Sequence, residues 1–65
     1  MHPKAKTLLK FFNYSHLPPH LHEVSKPFCE LANRTARQSS NDETTVALRK
    51  LLEAKDAAVR AVLPL

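Results

Sequence analysis

Glycine and tryptophan are absent from this 65-residue chain, and cysteine occurs once. Without glycine there is neither a P-loop nor a dinucleotide-binding fingerprint, since both need a residue lacking a side chain where the backbone meets phosphate. The commonest tight hairpin turns go with it, which disfavours sheet. Any phosphate bound here must be met by side chains and helix N-termini. The lone Cys29 excludes a disulfide within the chain; it reads as a small apolar residue on a helix, and a reducing cytosol fits. No apolar run reaches membrane-spanning length. Near the N-terminus Lys4, Lys6 and Lys10 are interspersed with Leu8, Leu9, Phe11 and Phe12, too charged a run for a secretory signal. Its apolar face is also short for a membrane-surface anchor.

What is present is basic and helical. The net charge is +4; residues 1–37 hold six Lys/Arg against two Glu, whereas residues 38–65 hold four of each sign. The first half would therefore attract an anion such as nucleic acid or a nucleotide, unless the excess merely keeps the chain in solution. A chain this short makes one domain, 1–65, whose core contributes little beyond the entropy cost of folding. With no disulfide available, self-association is the expected source of further stability.

Three helical segments follow from the spacing of apolar residues. Residues 3–12 place Ala5, Leu8, Leu9 and Phe12 on one side of a short helix, within an N-terminal segment of residues 1–13. Asn13 to Pro19 breaks the chain, because prolines fix their own φ and push the preceding residue toward extended geometry. A second helix is expected from about Pro19 to Arg37, with Leu21, Val24, Phe28 and Leu31 as its packed stripe. Pro27 should kink it near Lys26, or else Ser25 caps a fresh helix there. Ser40 with Glu43 has the form of a capping box for the last helix, and Asp42 is an alternative cap. Along that helix Leu48, Leu51, Leu52, Ala58, Val59 and Val62 form the apolar stripe, with Lys55 on it. Arg49 with Glu53 and Asp56 with Arg60 are i, i+4 pairs, and Pro64 ends the helix. The expected fold is all-α: an antiparallel helical hairpin over 14–65 with a kinked second helix, preceded by the short helix and assembled as an oligomer.

Candidate chemistry is sparse. His2, His16, His20 and His22 show no zinc spacing with a cysteine or acid, so they read as exposed polar residues and no metal or cofactor is expected. Nothing marks a strained nucleophile turn or a poised carboxylate pair, so no catalytic residue is assigned. Tyr14, the only tyrosine, lies just ahead of the long helix. It either packs across the hairpin or offers a flat ring for stacking on a base. Lys26 at the expected kink would add a cation. Lys55 either packs its stem on the stripe and reaches solvent or meets an acid of a neighbour. Arg34, Arg37, Arg49 and Lys50 are solvated individually, but at an interface arginines can converge on phosphates.

From Tyr14 onward the pattern resembles the helical-hairpin sponges with which phages evade bacterial immunity, the anti-CBASS and related anti-Thoeris families. The likeness rests on the aromatic entry NYSHLPP, on HEVSKPFCELA, and on TTVALRKLLEAKDAAVRAV after a polar turn. It implies a homo-oligomer, usually a hexamer, in the cytoplasm of the infected host. Such an assembly would hold cyclic dinucleotides, cyclic trinucleotides or cyclic ADP-ribose-type signals between protomers without cleaving them. By this resemblance Tyr14 would stack on a base and Lys26, with Ser25 beside it, would meet phosphate. A second site at the start of the last helix would use Thr44, Thr45 and Arg49, although threonine stands there where a basic residue is often found. The main rival reading is a small basic protein that tracks DNA or RNA phosphates, with strong salt dependence, and a second is a structural adaptor or coiled-coil partner with no ligand.

Overall fold

The computed structural model describes residues 1–64. It is all-helical, with three helices packed together: α1 at Pro3–Leu9, continued by a 3₁₀ turn at Lys10–Phe12, α2 at Pro19–Gln38, and α3 at Asp42–Val62. None of these helices is long and apolar enough to cross a membrane.

Each boundary has a local cause. His2 caps α1, its Nδ1 accepting from the Lys4 amide at 3.1 Å, and Pro3 stands at the first helical position, where a missing N–H costs nothing. The same logic starts α2, with Pro18 extended as cap and Pro19 following. α3 is capped by neither Ser40 nor Asp42. Asn41 takes the role: its Oδ1 accepts from the Thr44 amide at 3.1 Å, and its own amide donates to Thr44 Oγ1 at 3.4 Å. The box is therefore Asn41–Thr44 rather than Ser40–Glu43, one residue later in phase. Asp42 and Glu43 instead place acidic charge in the first turn, where the helix dipole favours it. At the far end Leu63 turns extended ahead of Pro64.

α2 runs through Pro27 without interruption, so no fresh helix begins at Ser25. The ring removes the donor that would have met the Glu23 carbonyl, yet the helix continues on both sides. Its inward face also differs from the expected stripe. Leu21, Ser25, Ala32 and Ala36 are buried, Val24 and Phe28 only half-buried, and Leu31 is 46 % exposed. The small residues face the neighbouring helices because they let backbones approach closely, which turns the larger side chains to the flank.

The core is Ala5, Phe12, Ala32, Ala36 and Leu48, with Leu8, Leu9, Phe28, Cys29, Leu51 and Leu52 packed around it. α1 and the 3₁₀ turn thus close over α2 and α3 near the connection between the two long helices. Lys55 does lie on the inner stripe of α3, its side chain only 13 % exposed, and its Nζ is 2.9 Å from Asp56 Oδ1. The expected Arg49–Glu53 and Asp56–Arg60 pairs are replaced by this contact and by Lys50–Glu53 at 3.9 Å.

Two buried hydroxyls, Ser25 Oγ and Thr45 Oγ1, have no hydrogen-bond partner. A desolvated hydroxyl without a partner is a net loss. Ser25→Ala should therefore raise the unfolding free energy by about 1 kcal/mol, seen as a higher urea midpoint. A lower midpoint would show that the hydroxyl has a partner after all.

Candidate functional site

Tyr14 is positioned by a loop that the sequence braces closely. Asn13 leaves the 3₁₀ turn in extended geometry, and its Oδ1 accepts from both the Ser15 amide at 3.1 Å and the Ser15 hydroxyl at 2.9 Å. The Leu17 amide donates to the Tyr14 carbonyl at 3.0 Å, closing a turn. His22, on the first turns of α2, reaches back so that Nε2–H donates to the Leu17 carbonyl at 2.8 Å. That bond holds the imidazole against the tyrosine: the ring centroids are 5.4 Å apart with the planes at 69°, an edge-to-face pair. Tyr14 and His22 are both half-buried. Spacing alone gave His22 no role beyond an exposed polar residue; its partner lies across a loop whose closure spacing does not encode.

Lys26 follows His22 by four residues and so stands on the same side of α2, one turn on. Its ammonium is exposed and lies 4.0 Å from Glu30 Oε1, a loose surface pair that an incoming phosphate can displace. The tyrosine, the imidazole and the lysine thus form a short aromatic and cationic strip beside the loop. Ser25 is not part of it. Its side chain is 1 % exposed on the inward face, which removes it from any ligand at this surface and corrects the expectation for that residue.

The residues expected at the start of α3 divide. Thr44 is 3 % exposed and its hydroxyl is occupied: it shares a 2.6 Å hydrogen bond with Ser39 and lies 3.3 Å from Asn41 Oδ1. Its hydroxyl serves the capping box as the third helical residue, which leaves it no part in binding at this surface. Thr45 and Arg49 do come together, lining a cleft of about 160 Å³ with Lys4, Asp42 and Val46. At this end of α1 His2 Nε2 lies 3.6 Å from Asp42 Oδ1, a loose surface contact, and Lys4 lines the cleft together with Arg49. Lys4 went unrecognised in the sequence because only docking of α1 makes it a neighbour of α3.

Two cations and the first turns of a long helix favour an anion in this cleft, while the Asp42 carboxylate opposes one. Its volume suits a single phosphate group and falls short of the ~300 Å³ at which pockets for larger ligands begin. The strip at Tyr14 and the cleft at Arg49 are also well separated. Lys26 stands far back along α2 from the connection, whereas Thr45 stands just past it. At 1.5 Å per residue Lys26 stands ~18 Å and Thr45 ~5 Å from the connection, an axial offset of roughly 13 Å for helices that fold back on each other.

Comparison of the chain with protein-family models, with curated proteins and with solved structures found no match.

Proposed function

We propose that this chain is a non-enzymatic sponge, which self-assembles in the cytoplasm of an infected bacterial host and holds cyclic di- or trinucleotide signals without cleaving them. The observation that carries this reading is the strip of Tyr14, His22 and Lys26. A flat ring braced by a second ring, with an exposed and only loosely paired cation one turn away, matches a base followed by its phosphate. A cyclic dinucleotide has two bases and two phosphates, so two strips from two protomers would satisfy one ligand. That stoichiometry is why self-assembly, as a hexamer, belongs to the proposal. The cations Lys4 and Arg49 of the cleft would take a phosphate at a second place on each protomer.

The scaffold in this reading is an antiparallel hairpin. What supports this is the length of the connection: Ser39 to Asn41 are too few residues to carry the chain back along a helix ~30 Å long, as a parallel pair would need. A cyclic ADP-ribose-type compound, with one adenine and a diphosphate, is the alternative cargo. Against general DNA or RNA binding stands α3, whose exposed Asp42, Glu43, Arg49, Lys50, Glu53 and Arg60 are three of each sign and form no basic track.

Calorimetric titration with cyclic di- and trinucleotides and cyclic ADP-ribose isomers tests the proposal, with recovery of the bound compound after heat denaturation. Tyr14→Ala should weaken binding roughly 10- to 100-fold, the range expected for loss of one base–aromatic stack. Lys26→Ala should weaken it by about tenfold. Both variants should keep the wild-type circular dichroism. Unchanged affinity in both, or release of a cleaved product, would sink the reading. So would retention of DNA or RNA with no response to the cyclic compounds.

A further inference from the structure

Asn13 does more in its loop than end the 3₁₀ turn. Its side chain accepts twice, from the Ser15 amide at 3.1 Å and from the Ser15 hydroxyl at 2.9 Å. A backbone amide can only donate, so the atom it meets is Oδ1, and the orientation of the carboxamide follows. The ring closed by that bond contains the Tyr14 backbone, an Asx turn that folds the side chain back alongside the tyrosine. Both acceptor positions of Oδ1 are then in use. Nδ2, with its two N–H groups, has no hydrogen-bond partner among the described residues, and Asn13 is exposed.

Aspartate would close the same turn, because it offers the same acceptor. What asparagine adds is a pair of donors, fixed in direction and one residue from the ring proposed to stack on a base. Donors recognise acceptors, and the bases differ in where they carry them. Guanine has two neighbouring acceptors, O6 and N7, along one edge, whereas adenine sets its N6 amino donor beside N7. The acceptors nearest to hand for an adenine amino group are already engaged. The Leu17 amide donates to the Tyr14 carbonyl at 3.0 Å, and His22 donates to the Leu17 carbonyl at 2.8 Å.

We propose that Asn13 is a further ligand-binding residue of the strip, whose Nδ2–H groups select guanine as the base stacked on Tyr14. The inference rests on the sponge reading and narrows its cargo to guanine-containing cyclic dinucleotides. Asn13 thus has two separable tasks: Oδ1 shapes the loop, and Nδ2 reads the ligand.

Calorimetric titration of wild type, Asn13→Asp and Asn13→Ala with the cyclic dinucleotides of guanine and of adenine tests this. Wild type should bind the guanine compound about 3- to 10-fold more tightly, the range for one exposed hydrogen bond. Tyr14 is the only tyrosine and tryptophan is absent, so near-ultraviolet circular dichroism reports on that ring. Asn13→Asp should keep the tyrosine signal, since the turn is kept, and lose the preference for guanine. Its added charge repels the phosphates of both compounds alike, so the ratio of the two affinities isolates the lost donors. Asn13→Ala should lose the preference and the tyrosine signal together, with the helical spectrum unchanged. Equal affinities in wild type, or a preference for adenine, overturn the inference and leave the sponge standing. A guanine preference that survives Asn13→Asp overturns it too, because another group then reads the base. A wild type that binds neither compound strikes the cyclic-dinucleotide reading itself, and the inference falls with it.

Discussion

Phe12→Ala should lower the unfolding free energy by about 3–5 kcal/mol, a large share of the monomer's stability. Phe12 is 1 % exposed and is the largest side chain buried to that degree. It sits at the end of the 3₁₀ turn, where its ring packs into the cluster of Ala5, Ala32, Ala36 and Leu48. Its removal takes away the main apolar anchor joining the N-terminal segment to the two long helices. A domain of this size has a total stability of roughly 3–10 kcal/mol, so one anchor is a large share of it. Urea denaturation followed by circular dichroism, at one fixed protein concentration, measures the change. A loss below about 1 kcal/mol would show that α1 adds little to the fold.

Leu48→Ala should cost nearly as much, about 3–5 kcal/mol, for a different reason. Leu48 is fully buried, and three of its four core companions are alanines. Alanine has no rotamer with which to lean into a vacated space, so the cavity would persist, and the cost of such substitutions rises with the cavity left behind. A variant that loses less than about 1.5 kcal/mol would imply that α1 slides inward to fill the gap. Melts of Phe12→Ala and Leu48→Ala then separate two roles: fastening a segment and filling a centre.

The elements themselves were legible because proline and apolar spacing mark them strongly. Pro3, Pro19 and Pro64 stand where two helices begin and the third has ended, and Ala5, Leu8, Leu9 and Phe12 all turn toward the core. The cap of α3 was less legible: Ser40, Asn41 and Asp42 are all good caps in succession, and only the phase of the helix chooses among them. The inward face of α2 was misread because large apolar residues dominate an amphipathic pattern, whereas close packing selected Ser25, Ala32 and Ala36. At the candidate site, Tyr14 and Lys26 were found through their types and places in the chain. His22 and Lys4 were not, since one acquires its role by closing a loop and the other by docking a separate helix. Ser25 and Thr44 were named as ligand groups, but burial claims the first and a helix cap the second.

The backbone carries one further consequence, and it concerns the denatured ensemble. No described residue has a positive φ, and the whole chain contains no glycine and five prolines. An average composition would give a chain this long about four or five glycines. Each glycine replaced without strain narrows the range of disordered conformers and stabilises the native state by about 0.4–1 kcal/mol. The difference is roughly 2–4 kcal/mol, comparable to what a single well-packed core residue supplies. Part of this small protein's persistence therefore lies outside its contacts, in how few alternatives its chain has once it is loose.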